Sequence, residues 1–459
     1  MLPLVGHGYQ FMGTDQARMA AIQEHGRQAL KHGGTTVTWL GYSMFVSIAD
    51  PVQAEWILRT CLEKDDAFKL GRCFTGDVLA IAPVPIWRQR RKIFTPNFSP
   101  RMLNQFVEVF YRQSSVLADR LKNVANTGPF QLWSYIIRFT MDSLFESTLG
   151  IQAHAQTDPN QPLLKAFKPV GPLFSSRMSQ PWLHSEVVYK MLPAYSKFLK
   201  AKSAVYSVVE QYVKSKRQDL KSKPKAGSFR TLLDTLLQVS EDGSGLSDEE
   251  IQGEVVGLYI AGIDTSATTI GFVLHMLARY PEVQDKVYEE LKEVLKDLTK
   301  PIVAEDLPHL KYLEVVIKET LRLYPPAPII ARQITEDITV PSGYHLVGGT
   351  SVIVHIWALH RNPAYWGADA EQFRPERFLT PLTHPAQFMP FSYGPRNCIG
   401  SQYAMMSIKT ALATVLRRYR VLHARGQSGD AGTVAPLRVR FDVVIKDMDR
   451  FTLQLDSRK

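Results

Sequence analysis

A chain of 459 residues with ordinary apolar and charged fractions can enclose a large cofactor within one core. Its formal charge of +10 calls for an acidic partner or an anionic surface, and with no long Lys/Arg tract or finger motif that partner is not nucleic acid. Three cysteines (Cys61, Cys73 and Cys398) with no CxxC pair exclude a disulfide framework and a zinc site, and fit a chain kept reduced.

At the N-terminus, Met1-Leu2-Pro3-Leu4-Val5-Gly6 carries no secretory or transit signal, and no run of about 18 consecutive apolar residues occurs anywhere. Residues 35 to 48 read as a β-hairpin turning near Gly41-Tyr42, and Asp50-Pro51 opens a helix with Asp as N-cap. From about 87 to 300 the pattern is helical, broken by hydrophilic stretches at 157–161, 221–228 and 240–245. Trp87 and Arg91 share one side of a basic helix that also carries Arg88, Arg90 and Lys92. The region from Pro181 to Phe198 mixes aromatic and aliphatic residues with lysines, a pattern of core packing or of a membrane interface.

Ser247-Asp248-Glu249-Glu250 is a capping box that starts a helix apolar almost all round, hence buried. Inside it lies Ala261-Gly262-Ile263-Asp264-Thr265. Gly262 costs about 1 kcal/mol against alanine, explained by close approach of a flat ligand or by helix packing. Thr265 could bond back to the carbonyl four residues earlier. Another helix runs through Leu310 to Leu323, with Glu319 and Arg322 on one face, and stops at Tyr324-Pro325-Pro326. Strands follow at Ile338 to Val340 and Ser351 to Val354, with a last pair at Arg438 to Ile445 and Phe451 to Leu455. The class is mainly α with a small β portion, in one compact body spanning residues 1–459 rather than the three domains that length suggests.

The most informative stretch is Phe391-Ser392-Tyr393-Gly394-Pro395-Arg396-Asn397-Cys398-Ile399-Gly400. Glycines at 394 and 400 permit tight turns around a single cysteine, and an apolar helical pattern follows at Ala404, Ile408, Ala411, Leu412 and Val415. Such a loop presents one thiolate to a metal, with helix N-terminal amides directed at the sulfur. This motif, with the Ala261–Thr265 segment, Glu319-x-x-Arg322 and Pro375-Glu376-Arg377-Phe378, resembles the cytochrome P450 superfamily of haem-thiolate monooxygenases, most closely insect microsomal family-4-type members.

The resemblance implies the cytochrome P450 fold around a buried haem b, with Cys398 as iron ligand and its thiolate favouring O–O cleavage. It places Trp87, Arg91, Arg332 and Arg396 on the haem propionates, with Phe391, Gly394 and Gly400 shaping the cysteine loop. Ala261 and Gly262 make room over the haem, Thr265 steadies dioxygen and its neighbouring water, and Asp264 relays protons. Glu319, Arg322 and Arg377 form a buried structural network. Arg88, Arg90 and Lys92, extended by Lys409, Arg417 and Arg418, would face an acidic redox partner, namely NADPH-cytochrome P450 reductase, with cytochrome b5 as an additional donor. Many family-4 members carry a glutamate that bonds covalently to haem where this chain has Ala261, so the haem is expected to be non-covalent and extractable by acidified organic solvent. Microsomal relatives begin with a membrane helix and a proline-rich hinge, and Leu2-Pro3-Leu4-Val5-Gly6 resembles the end of that hinge. The implied place is the cytosolic face of the endoplasmic reticulum membrane, with peripheral membrane contact and the anchor missing from this chain. The pocket wall, formed by 69–86, 258–265, 327–330 and 446–449, is mostly apolar and suits fatty acids, terpenoids, pheromone-like volatiles or xenobiotics. Two rival readings are a haem-thiolate isomerase or dehydratase of lipid peroxides, and a non-catalytic carrier of apolar ligands.

Overall fold

Capping and punctuation residues delimit most of the elements seen in a computed structural model, which describes residues 6–41, 43–222, 230–241, 245–424 and 437–458. Thr14 caps α1 (Asp15–Lys31) by accepting from the Ala17 N–H. Strands β1 (Thr35–Leu40) and β2 (Ser43–Ile48) form the expected antiparallel hairpin, and the Asp50 carboxylate caps α2 (Pro51–Thr60) at 2.9 Å from the Gln53 nitrogen. Tyr42 of the hairpin turn, the hinge-like residues 2–5 and parts of the hydrophilic breaks lie outside the described residues.

Next come α3 (Val84–Phe94), α4 (Pro100–Leu121), α5 (Trp133–Leu144), α6 (Pro193–Ser222) and α7 (Asp248–Arg279). The Ser247 capping box forms as read, with Ser247 and Glu250 each bonding the other's backbone N–H. Helix α7 is the spine: α5, α6, α8 (Lys311–Leu323) and α9 (Ser401–Leu416) all pack on it. Among the described residues it alone is long and apolar enough to cross a membrane, yet 19 of its 32 residues are buried inside the body. A helix apolar all round at the centre of a large core needs no lipid.

The main sheet runs β1-β2-β4-β3, with β3 at Ile330–Gln333 and β4 at Ser351–Val354; β2 and β4 are parallel and the other pairs antiparallel. The predicted terminal pair is different in detail. Val443, in left-handed backbone at φ 63°, breaks the stretch from Arg438 to Ile445 into a tight hairpin, β6 (Val439–Asp442) and β7 (Val444–Asp447). The last strand, β8 (Thr452–Ser457), pairs instead with β5 (Tyr419–His423) and Phe130–Gln131. Alternation along the sequence cannot tell which strand finds which partner.

Candidate functional site

The cysteine loop is built by backbone geometry. Ser392 and Gly394 adopt left-handed backbone, at φ 64° and 72°, and a Cβ on Gly394 would collide with the Leu58 carbonyl. The Phe391 carbonyl accepts the Cys398 N–H at 2.9 Å, closing the turn, and α9 starts just after Gly400. Cys398 lies deep in the body yet its surface is accessible, which puts it on the wall of an internal space. Burial pushes its thiol up, while the Gly400 N–H and Arg91 pull it down.

Arg91 turns to this loop, donating to the Asn397 carbonyl at 3.0 Å and its side-chain oxygen at 2.9 Å. Trp87 is buried, with the Arg396 guanidinium 5.0 Å from its ring centroid. Arg396 donates to the Leu62 and Ala82 carbonyls, both at 2.9 Å. Arg332 on β3 is fully buried and, among the described residues, bonds the Ala331 carbonyl alone, leaving its Nε and Nη2 without a partner. Lys64, which sequence reading passed over, bridges to Arg332 through the backbone. Burial, then Arg332 and Arg396, drive its ammonium well down. Arg332 and Arg396 are each pulled to about 10, by burial first and then by Arg396 and Arg72 respectively. Among the described residues no ion pair joins any of these three cations. Orphaned buried donors among converging cations are a cradle for an anionic group. They fit the acidic arms of a haem.

On α7 the buried surface is interrupted. Gly257, Leu258, Ile260, Ala261, Gly262, Asp264 and Thr265 are accessible, although the helix is buried on either side of them. A Cβ on Gly262 would meet Leu144 of α5 at 3.0 Å, so this glycine is needed for helix packing. Thr265 donates to the Ala261 carbonyl at 2.7 Å. The Asp264 carboxylate is held by Lys446 of β7 at 2.8 Å, and Lys446 also faces Asp442 at 3.8 Å.

Glu319 binds Arg322 through two bonds of 2.7 and 2.8 Å and Arg377 through one of 3.0 Å, all in the core. The two guanidiniums also donate to backbone carbonyls at 360, 366, 369, 370 and 372. The expected basic surface is smaller than predicted. Arg90 is buried against Glu250 and Glu254, Lys409 against Glu314 and the Leu307 carbonyl, and Arg417 against Tyr111 and the Lys300 carbonyl. Arg418 pairs with Asp119. A spacing rule sees only the charge, and each of these positions has a partner from a distant segment. Arg88 and Lys92 stay exposed, beside a cleft of about 440 Å³ formed with Trp87, Arg91, Thr95 and Pro96. The sequence puts 446–449 on the pocket wall but does not pair Lys446 with Asp264, and Lys64 carries no readable signal within the charged run Glu63-Lys64-Asp65-Asp66.

Comparison with known proteins agrees with this geometry. A family model described as cytochrome P450 matches residues 1–431. The chain is 33% identical to cytochrome P450 4d2 of Drosophila melanogaster, covering 92% of this chain and 87% of that one. It is 33% identical to mouse cytochrome P450 4V2 and 32% identical to the human protein, over 91% of this chain and 82% of each relative.

Proposed function

The chain belongs to the cytochrome P450 family, and on that premise we propose that it hydroxylates or epoxidises an apolar organic substrate with electrons from NADPH. It is a haem-thiolate monooxygenase that binds haem b, and the whole of residues 1–459 is read as one haem domain. Bound iron protoporphyrin IX supplies the activation of O2 and the oxidation of a C–H bond or alkene. For hydroxylation the balance is R–H, O2, two electrons and two protons giving R–OH and water.

The observation that carries this reading is the accessible stretch of α7 in an otherwise buried helix, together with an accessible thiol in the interior. Cys398 would be the iron ligand, and Lys64, Arg332 and Arg396 would hold the propionates, with Trp87 packed against Arg396. Ala261 would leave room for the bound group, and Asp264 and Thr265 would hold and relay the protons that the reaction consumes. Arg91 braces the cysteine loop through Asn397, and the adjoining cleft with Arg88 and Lys92 receives an acidic flavin reductase or cytochrome b5.

Peripheral contact with the endoplasmic reticulum membrane is supported by an apolar patch on the segment before and in early α6. Val187 and Met191 are 72% and 81% exposed, with Val188, Leu192 and Leu199 beside them and Lys190, Lys197 and Lys200 interspersed.

The test is reconstitution of the purified protein with haem, NADPH-cytochrome P450 reductase and O2 against fatty acids, terpenoids, pheromone-like volatiles, plant toxins and insecticides. An oxygenated product that requires NADPH and disappears in Cys398→Ser is expected. Product from lipid hydroperoxides alone would favour an isomerase or dehydratase. A normal carbon-monoxide spectrum with no product across the panel would favour a carrier.

A further inference from the structure

The segment 72–82 runs from a short helix, Arg72–Thr75, towards α3, and three neighbouring positions of α7 receive it. A Cβ on Gly253 would collide with the Thr75 carbonyl, and one on Gly257 would press the Val78 side chain at 3.2 Å. Between these glycines Glu254 is 2% exposed and accepts the Leu79 N–H with both carboxyl oxygens, at 3.0 and 3.2 Å. Arg90 of α3, itself buried, lies 3.4 Å from the same carboxyl and bonds Glu250 at 2.6 Å. On the far side Lys202 and Tyr206 of α6 hold the Cys73 and Phe74 carbonyls, both at 2.8 Å. Gly257 precedes Ala261 by one turn on the same helix face, so the seated loop borders the accessible stretch.

We propose that Glu254 is a positioning residue whose carboxyl latches loop 75–79 onto α7 and so governs how an apolar substrate reaches the space beside Ala261. The access role rests on the reading of that space as the substrate pocket.

A buried carboxyl is costly without partners, and here the partners are the loop's own N–H and Arg90. The charged groups around it are Arg90 from α3 and Glu250 from α7, with the Arg72–Asp77 pair on the loop and Lys202 from α6 at its flank. Burial raises the Glu254 carboxyl to about 7 against the opposing pull of Arg90 and the Leu79 N–H. When the loop lifts, water reaches Glu254 and its affinity for a proton returns towards the ordinary value of 4.5. The proton is therefore bound more tightly in the latched form. The latch is strongest below 4.5 and weakens as pH rises through about 7.

The experiment is hydrogen exchange of the Leu79 amide in the haem-loaded protein from about pH 6 to about pH 8.5, corrected for intrinsic exchange. Protection in the wild type is expected to fall roughly tenfold or more across that range, one unit of pKa difference being tenfold. Glu254→Gln, an uncharged isostere, should keep its protection throughout. A flat wild-type profile, or a Gln variant that falls in parallel, overturns the latch. If the variant fails to load haem, the wild-type profile alone decides. In the same samples, the rate at which neutral dodecanol perturbs the haem spectrum should rise with pH in the wild type only. A rate indifferent to pH overturns the access role. The carbon-monoxide spectrum, recorded alongside, tells a failed latch from a failed haem-thiolate reading.

Discussion

Asp264 and Thr265 are neighbours on α7, so their side chains leave the helix about 100° apart and cannot face the same point unaided. The structure gives them different partners. Thr265 turns back to the Ala261 carbonyl at the accessible stretch, while Asp264 reaches outward to Lys446. Asp264→Asn keeps the shape and removes the acid. Product formation is expected to fall roughly a hundredfold, the low end for a lost proton-transfer group, with the carbon-monoxide spectrum unchanged. A variant with full turnover would remove Asp264 from the chemistry. At this scale the motifs were readable because their residues are close in sequence. The pairing of Asp264 with Lys446 was not, because Lys446 stands 182 positions from its partner and only the β6–β7 hairpin brings it there. Gly262 shows the same limit: its rarity in a helix interior and helix packing as one reason were visible, but the packing partner, Leu144 of α5, was not.

Among elements, the junction of α8 with the Pro375–Leu379 turn carries the most concentrated charge. Glu319 is completely buried and neutralises two guanidiniums, Arg322 and Arg377, whose other donors go to backbone carbonyls and, from Arg377, to the Asp369 carboxylate at 3.4 Å. Glu319→Gln leaves buried Arg322 with no compensating charge and Arg377 with Asp369 alone. Breaking such a network costs about 3–5 kcal/mol, to be read as a lower denaturant midpoint of the haem-loaded protein, with haem lost in the same transition. A midpoint within experimental error of the wild type would reduce the network to ordinary packing. In sequence this pair was indistinguishable from a surface i,i+3 contact until the downstream Pro-Glu-Arg-Phe segment was joined to it. The starts of helices with clear caps, such as α2 and α7, were legible to within a residue. The β6–β7 hairpin was not, because its break depends on the backbone of Val443, a β-branched residue that ordinarily continues a strand.

For the whole molecule, the exposed groups that bear on partners lie at two separate places. Arg88 and Lys92 remain at the cleft near the cysteine loop, and among the described residues the two most exposed aliphatic side chains, Val187 and Met191, stand together in the 187–199 patch. Replacing Val187 and Met191 by serine removes two side chains worth about 1.5–3 kcal/mol each when fully buried. Sedimentation with phosphatidylcholine vesicles is expected to weaken by roughly tenfold or more, with no change in haem content; unchanged sedimentation would place the membrane contact elsewhere. Net charge alone predicted a broader basic face than exists, since Arg90, Lys409 and Arg417 serve the interior.

The cradle of Lys64, Arg332 and Arg396 has a consequence for how the protein is made. Among the described residues three basic groups crowd together with unused donors on Arg332 and only Glu63, acting on Arg396, to offset them, so closing this part of the fold is electrostatically uphill until an anion arrives. Haem loading is then a step of maturation and not a late addition to a finished shell. Supplying haem to freshly synthesised chains should raise the melting temperature with the logarithm of the free haem concentration, as binding linkage requires. Arg332→Met should blunt that gain and at the same time make the unloaded chain harder to digest with protease. A cell short of haem would be left with the unloaded form, and its quality-control proteases would set how much of this protein accumulates.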